Sequence, residues 1–393
     1  MDLKIFTNNI EETALEQINT LMQQEAFKDS KVRIMPDVHA GAGCVIGFTG
    51  DLGDKVIPNI VGVDIGCGVR CVTLGKIDID YAALDKFIRE EIPSGRNIQK
   101  ESNKIAIEYI EELRCKDKLH DKKWLECSLG TLGGGNHFIE IDEDDEGCKY
   151  LIIHTGSRNL GKQVADIYQE LAITKLHSVP KEMRYELINS LKSQGREKEI
   201  QSELLKLEKT FGEQIKIPKE LCYLEGQDRE DYLHDMRICQ EFAIMNRSHI
   251  SMMIELFLKV AVSESFESVH NYINAKNMVR KGAISAHRGR PVIIPLNMKD
   301  GCIIGVGKGN PDWNYSAPHG AGRLMSRMEA RRSLSIDDFK AAMQGIYTTS
   351  VDETTLDEAP MVYKNAQEII DRISDTVTIK KLIKPVYNFK AGD

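Results

Sequence analysis

Residue types that bind metals occur in short segments flanked by glycine or asparagine, and these segments are spread over most of the chain. Close backbone approach and sharp turns are what metal and phosphate sites need, and glycine allows both. Because the segments come from both halves of the chain, the fold must bring the halves together. We therefore predict a metalloenzyme with one α+β domain over residues 1–393. The candidate residues are His39, Cys67, His137, His154, His270 and His319.

Composition narrows the class of protein. A chain of 393 residues with 41% hydrophobic residues has ample material for a large core. The net charge of −8 argues against a protein that coats nucleic acid non-specifically, although a local basic groove is compatible with it. The nine cysteines form no CxxC pair, the N-terminus lacks a leader pattern, and no apolar run approaches the ~18 residues of a membrane span. We expect a cytoplasmic protein with free thiols.

Hydrophobic periodicity predicts alternating β-rich and helical regions. Helices are predicted over 10–25, 80–115, 166–176, 228–262, 321–345 and 361–374. Strands are predicted over 32–35, 44–48, 56–60, 69–73, 138–141, 150–153, 266–273, 292–296 and 302–306.

The segment 183–216 is rich in interleaved Glu and Lys. Such a sequence cannot bury an apolar face of useful width. We predict a surface helical insertion there, and a recognition arm is the alternative.

Asp64 and Cys67 lie three residues apart in a glycine turn that follows an apolar run. A thiolate, a carboxylate and several imidazoles can hold Zn²⁺, Mn²⁺, Fe²⁺ or Co²⁺, and a thiolate can bridge two ions. One histidine of this kind is more often a hydrogen-bonded structural residue than a ligand. The prediction of a metal site therefore depends on the recurrence of the pattern.

Two segments indicate contact with phosphate. Gly156–Lys162 has the G-x-x-x-x-G-K spacing, but Gln163 replaces the Ser or Thr that a phosphate-binding loop needs for Mg²⁺. The helix start could still bind an anion, with Arg158 assisting. His319 precedes an arginine-rich helix, which disfavours a metal cation and favours a phosphate that a neutral imidazole can attack. A helix-capping histidine is the alternative.

Several longer motifs occur in one order along the chain. They are Met35–His39, Val61–Gly68, Gly130–Glu140, His154–Arg158, Asn246–Arg247, Arg280–Ser285, His319–Arg323 and Val386–Lys390. Taken together, they make the sequence resemble the RtcB family, the tRNA-splicing RNA ligases, from residue 31 to residue 390.

The resemblance implies an RNA ligase that joins a 3′-phosphate or 2′,3′-cyclic phosphate end to a 5′-hydroxyl end, using GTP and two Mn²⁺ ions. His319 would be the catalytic nucleophile and would become guanylylated. The metal ligands would be Asp64, Cys67 and His137 for one ion, and Cys67, His154 and His270 for the other. Residues implied to bind the nucleotide are Asn136, Glu140, Asn297, His319, Gly320, Gly322, Arg323, Tyr363 and Lys390. Residues implied to bind RNA are Arg158, Asn246 and Arg247.

The resemblance also bears on partners and on nucleotide choice. It implies RNA with broken ends as substrate, an archease-type activator as a candidate partner, and a monomer. Family members usually carry Gly-Ser-Met-Gly where this chain reads Pro295 to Gly301, so Asn297 stands where a phosphate-contacting Ser is expected, and Lys299 and Asp300 bring new charges. This departure suggests a divergent branch that repairs damaged RNA. The competing functions are a metal-dependent phosphodiesterase or phosphatase that acts on RNA ends, and a non-catalytic RNA-binding protein.

Overall fold

The computed structural model describes residues 2–214, 216–262 and 264–392. The helices are α1 (Glu12–Met22), α2 (Pro58–Val61), α3 (Tyr81–Glu91), α4 (Lys104–Glu112), α5 (Lys122–Glu126), α6 (Arg158–His177), α7 (Lys181–Ser193), α8 (Ile200–Gln214), α9 (Gly226–Leu258), α10 (Arg327–Ser333), α11 (Ile336–Ala342) and α12 (Ala366–Arg372). The strands are β1 (Asp2–Ile5), β2 (Lys31–His39), β3 (Ile46–Asp51), β4 (Gly68–Gly75), β5 (Phe138–Glu143), β6 (Lys149–Thr155), β7 (Glu264–Val269), β8 (Asn271–Ile273), β9 (Met278–Lys281), β10 (Ala283–Ser285), β11 (Pro291–Asn297), β12 (Gly301–Gly307), β13 (Ser316–Pro318), β14 (Tyr347–Thr348) and β15 (Val377–Lys390).

An eight-stranded sheet positions most of the candidate site. Its order is β11-β12-β15-β5-β6-β4-β7, and β14 pairs with β15. The long strand β15 pairs with β12 through its first half and with β5 through its second half. Side chains alternate between the two faces of a strand. Ile139 and Ile141 therefore enter one apolar cluster, while Phe138 enters another on the opposite face.

A five-stranded sheet and a short strand pair complete the β-structure. The five-stranded sheet has the order β1-β2-β3-β9-β8, and β10 pairs with β13. Strand β2 ends at His39, and β13 ends at Pro318, immediately before His319. The helix α9 packs against α6 and β6, so it supports the back of the ligand-bearing strands.

The structure confirms the predicted α+β class and corrects several element boundaries. The strand predicted over 56–60 is wrong, because the helix α2 begins there at Pro58. Proline at the first helical position has the required φ and lacks only an N–H that would be unpaired anyway. The helix predicted over 321–345 is interrupted, since Ser326 caps α10 and Ser335 caps α11. Helix 80–115 likewise divides into α3 and α4.

The charged segment forms the two helices α7 and α8, most of whose residues are exposed. Leu191 is the one side chain of α7 that is buried, and Arg184 forms an ion pair with Glu208. Ile215, within the predicted segment 183–216, lies outside the described residues. That this segment is an insertion, and that residues 1–393 form a single domain, stay predictions.

Two composition-based expectations can be compared with the structure. All nine cysteines are free thiols. Within the described ranges, no helix is both long enough and apolar enough to cross a bilayer.

Candidate active site

The Asp64–Cys67 turn places a carboxylate and a thiol side by side. The turn lies between α2 and β4, and its Gly62 and Gly66 have φ values of 97° and 73°. The N–H of Cys67 donates to the carbonyl oxygen of Asp64 at 3.2 Å. A Cβ atom on Gly66 would lie 2.8 Å from the Cα of Gln240 on α9. Glycine is required there because the turn lies directly against the helix.

Three strands bring histidines to this turn. His137 immediately precedes β5, and His154 lies on β6 opposite Phe138. Val69 of β4 is the partner of His154 on the other side. His270 follows β7, and its N–H donates to the carbonyl oxygen of Cys67 at 2.9 Å. Antiparallel pairing thus gathers residues that are far apart in the sequence.

The predicted ligands form two groups that share one sulfur atom. The Sγ of Cys67 lies 3.3 Å from Nε2 of His154 and 3.6 Å from Nε2 of His137. The Nε2 of His137 lies 3.1 Å from Oδ2 of Asp64. The ligand atoms of Cys67, His154 and His270 all lie within 4.8 Å of one another, as do those of Asp64, Cys67 and His137. This arrangement could hold two metal ions with the sulfur between them.

Hydrogen bonds orient two of the imidazoles toward the sulfur. The Nδ1–H of His137 donates to the carbonyl oxygen of Leu132 at 2.9 Å, and that of His154 donates to the carbonyl oxygen of Asn136 at 3.2 Å. A carbonyl oxygen only accepts, so the Nε2 lone pair of each ring is available to a metal. The buried Nδ1 of His270 has no hydrogen-bond partner among the described residues. A bound ion would satisfy this nitrogen, so the residues fit a metal centre.

Burial sets the protonation states of these ligands. It lowers the pKa values of His154 and His270 well below the ordinary value, so both rings are neutral as metal ligands must be. Burial and the charge of Asp64 raise the pKa of the Cys67 thiol. A metal ion would therefore displace the thiol proton when it binds.

A cavity of about 580 Å³ opens next to this group of ligands. Its wall includes His39 and His154, together with the methionines Met298, Met325 and Met328. Every residue predicted to bind the nucleotide also lines it. These residues are Asn136, Glu140, Asn297, His319, Gly320, Gly322, Arg323, Tyr363 and Lys390.

His319 is held by a buried aspartate that the sequence analysis did not assign. The Nδ1–H of His319 donates to Oδ2 of Asp37 at 2.6 Å, and the same oxygen accepts from the N–H groups of His319 at 3.0 Å and Gly320 at 3.3 Å. The ring of His319 lies 4.7 Å from that of His270, between centroids. Its Nε2 lone pair therefore faces away from Asp37. The sequence did contain a signal for this role, because Asp37 lies within the motif Met35–His39.

Close backbone packing fixes this aspartate and its neighbours. Gly322 has φ 80°, and a Cβ atom there would lie 2.3 Å from the carbonyl oxygen of Asp37. That carbonyl also accepts a hydrogen bond from Nδ1 of His39 at 2.9 Å. Burial lowers the pKa of His39 to about 4, so this ring adds no positive charge beside His319.

Glu358 is a second residue that the sequence analysis missed. Its carboxylate accepts from Nζ of Lys390 at 2.6 Å, from the hydroxyl of Tyr363 at 2.5 Å and from Arg323 at 3.1 Å, and it lies 3.2 Å from Arg327. Burial alone would raise the pKa of Glu358, but Lys390, Arg327 and Arg323 hold it below its usual range. Glu358 is therefore an anion that gathers the cations at this end of the cavity. No motif marked it.

A second cavity, of about 570 Å³, opens on the Asp64 side of the ligand group. Arg96, Arg158, Lys162 and Trp124 line it together with Asp64. Arg158 donates to Oγ1 of Thr131 at 2.9 Å and to the carbonyl oxygen of Gly95 at 3.1 Å. The predicted anion-binding arginine is therefore fixed in a cation-rich wall.

Asn246 and Arg247 lie in the interior rather than in either cavity. Asn246 accepts from the N–H groups of Gly130 and Thr131 at 2.7 and 3.1 Å. Arg247 donates to the carbonyl oxygens of Gly66 and Thr155 at 2.9 and 2.8 Å. Both side chains are fully buried. These contacts indicate that the two residues support the ligand-bearing loops, and their predicted contact with RNA stays a prediction.

Comparisons with known proteins agree along almost the whole chain. The sequence model described as tRNA-splicing ligase RtcB matches residues 17–391. The chain is 29% identical to the RNA-splicing ligase RtcB of Escherichia coli, over 98% of this chain and 96% of that protein. It is 26% identical to the tRNA-splicing ligase RtcB of Nanoarchaeum equitans, over 89% of this chain and 85% of that protein. It is 27% identical to the tRNA-splicing ligase RtcB of Archaeoglobus fulgidus, over 95% of this chain and 89% of that protein.

Proposed function

Because this chain belongs to the RtcB family of RNA-splicing ligases, we propose that it joins RNA 3′-phosphate or 2′,3′-cyclic phosphate ends to 5′-hydroxyl ends. We propose GTP as the nucleotide, two Mn²⁺ ions as cofactors and His319 as the residue that becomes guanylylated. The observation that carries this proposal is the position of His319. It lines the larger cavity, its ring lies 4.7 Å from that of His270, and its Nδ1 is bound to Asp37.

The first step would be attack of Nε2 of His319 on the α-phosphorus of GTP. A nitrogen–phosphorus bond forms, the bond to the bridging oxygen breaks, and pyrophosphate leaves. Arg323 and Lys390 line the cavity where the phosphates would lie, and both cations would offset the charge that develops on phosphorus. Asp37 would keep the proton on Nδ1 and so keep the Nε2 lone pair available.

The RNA 3′-phosphate is a monoester without a good leaving group. The 5′-hydroxyl therefore cannot displace anything from its phosphorus until such a group is attached. Transfer of GMP from His319 to the RNA 3′-phosphate would supply that group, and attack by the 5′-hydroxyl would then release GMP. The cavity lined by Arg158 suits an RNA end, because it contains three cationic side chains and the indole of Trp124. Metal ions, when bound by the two ligand groups around Cys67, would withdraw charge from phosphate oxygens.

The ligand chemistry is compatible with Mn²⁺, since imidazole, carboxylate and thiolate donors accept several first-row ions.

Asn297 lines the same cavity as His319, which we call the nucleotide cavity. There the Oδ1 of Asn297 accepts from the N–H groups of Lys299 and Asp300. We propose that this turn contacts the triphosphate. A broken-ended repair substrate, an archease-type activator, a monomeric state and a cytoplasmic location also stay predictions.

The deciding experiment is intact-mass measurement after incubation with GTP and Mn²⁺. We expect one GMP on the protein, lost in acid and stable in alkali, as a phosphoramidate would be. His319→Ala should bind metal and form no adduct, whereas His287→Ala, which alters a ring stacked on Tyr315, should form it normally. An adduct on His319→Ala would refute the assignment. A protein that removes RNA terminal phosphates without ever carrying GMP would instead be a phosphatase or phosphodiesterase.

A further inference from the structure

A third group of ligand-type side chains lies beside the nucleotide cavity, apart from the Cys67 group. Glu140 and Asp142 lie two residues apart on β5, and Cys302 lies on β12. Strand β15 pairs with both of these strands. The ligand atoms of the three residues lie within 4.8 Å of one another, and all three side chains are buried. The two strands that flank β15 therefore bring two carboxyls and a thiol close together.

The surroundings compensate this group only in part. Neither carboxylate oxygen of Asp142 has a hydrogen-bond partner in the ranges that the structure describes, and the residue is fully buried. Glu140 accepts one hydrogen bond, from Nδ2 of Asn388 at 2.5 Å. Lys390, a nearby cation, is hydrogen-bonded to Glu358. The rest of the lining is an apolar cluster that includes Ile152, Ile293 and Ile383.

Buried polar atoms without partners destabilise a fold unless something satisfies them. Two charged carboxyls at this distance would also repel each other. The group must therefore hold either protons or a cation. Burial raises the pKa of Asp142, and burial together with the charge of Asp142 raises the pKa of Glu140. A metal ion that binds there would displace the protons that the pair otherwise holds.

We propose that Glu140, Asp142 and Cys302 form a third metal site, which takes a divalent transition-metal ion such as Zn²⁺. Thiolate disfavours Mg²⁺ and Ca²⁺, which prefer oxygen ligands, whereas Zn²⁺ and Co²⁺ accept sulfur together with carboxylate oxygen. Three protein ligands leave a fourth position for water. Glu140 also lines the nucleotide cavity, which gives the ion a path to the site.

The site goes beyond the proposed ligase activity and does not depend on it. An ion there would fix the carboxylate of Glu140 in the wall of the nucleotide cavity. The same ion would neutralise Asp142, which otherwise lies uncompensated among apolar side chains. Its role is therefore to hold the strands β5 and β12 together beneath the cavity. It would do so whether or not the chain binds GTP.

Cobalt loading of the reduced full-length chain tests the site without any nucleotide. Cys67→Ala removes the sulfur that the two ligand groups around Cys67 share. Any Co²⁺ that remains bound should therefore be held by Glu140, Asp142 and Cys302. We expect about one remaining equivalent by elemental analysis and a near-ultraviolet thiolate-to-cobalt absorption band. Both should disappear in Cys67→Ala/Cys302→Ala. Cys67→Ala/Cys71→Ala is the matched control, because Cys71 is a buried cysteine of the same apolar cluster outside the ligand set.

A second variant keeps the proposal testable if the cysteine variants do not fold. Asp142→Asn keeps the shape of the side chain and removes its charge, so the variant should fold. It should bind about two equivalents of metal, against about three in the wild-type protein. A Cys67→Ala protein that folds and binds no Co²⁺ or Zn²⁺ would overturn the proposal and show that the carboxyls hold protons. A third equivalent that persists in Asp142→Asn/Cys302→Ala would also overturn it.

Discussion

The contact between Asp37 and His319 permits a quantitative prediction. Asp37→Asn keeps the size of the side chain but replaces the carboxylate with a neutral amide. The amide oxygen could still accept from Nδ1 of His319, without the charge that now strengthens the bond. The amide nitrogen could instead donate to Nδ1, which would place the ring proton on Nε2. Either outcome makes the Nε2 lone pair a poorer nucleophile.

The size of the effect follows from the bonds that Oδ2 of Asp37 makes. It accepts from the ring of His319 at 2.6 Å and from two backbone N–H groups, and Asp37 is fully buried. A hydrogen bond to a charged group contributes about 1.5–3 kcal/mol. At about 1.4 kcal/mol per tenfold in rate, loss of this charge should slow GMP transfer to His319 by about 10- to 150-fold. Metal content should not change, because Asp37 belongs to neither ligand group.

The assay is the single-turnover rate of GMP adduct formation at saturating GTP and Mn²⁺, with metal content measured on the same sample. A ¹⁵N spectrum of labelled protein would report the His319 tautomer directly, which a purely structural effect would leave unchanged. Asp54→Asn is the matched control, since its side chain is exposed and contacts Lys55. An unchanged rate in Asp37→Asn, or a slow rate with an unchanged tautomer and lost metal, would refute the positioning role.

Three further predictions concern the metal centre, the cation cluster and the surface helices. Cys67→Ala should lose both ions of its centre; two manganese ions retained in that variant, by elemental analysis, would contradict a shared sulfur. Glu358→Gln should lower the free energy of unfolding by about 3–5 kcal/mol, because it leaves the buried ammonium of Lys390 without its anion; denaturant titration against exposed Glu329→Gln tests this. Deletion of residues 183–216 should preserve metal content and a cooperative melting transition, and loss of both would show that α7 and α8 are structural.

The sequence indicated which ligand-type residues come together, because the signals for them are local. Asp64 and Cys67 share one turn, and His137 and His154 lie at or beside the ends of neighbouring strands, so short motifs were enough to suggest them. The periodicity of the strands was equally informative about the α+β class. The local sequence pattern gave a wrong prediction at residues 56–60, where β-branched residues favoured a strand. There Pro58 instead begins a helix that packs against α6 and β9.

What the sequence could not show depends on contacts between distant segments. Asp37 meets His319 across 282 positions, and Glu358 meets Lys390 across 32 positions and Arg323 across 35. Neither carboxylate has a spacing that reveals its partner. The family resemblance implied that Asn246 and Arg247 bind RNA, and that contact stays a prediction. In the structure their side chains form hydrogen bonds with the backbone of the loops that carry the ligands. A polar residue inside a motif can thus serve the backbone of the site rather than its substrate.

The two cavities give the shared sulfur of Cys67 a mechanistic meaning. His154, from one ligand group, lines the cavity that contains His319, whereas Asp64, from the other group, lines the cavity that contains Arg158. Ions held by the two groups would therefore face different substrates, with the nucleotide on one side and the RNA end on the other. The Cys67 sulfur, which both ligand groups share, would hold the two ions in one centre. GMP on His319 and an RNA phosphate could then approach one centre from opposite sides without competing for the same space.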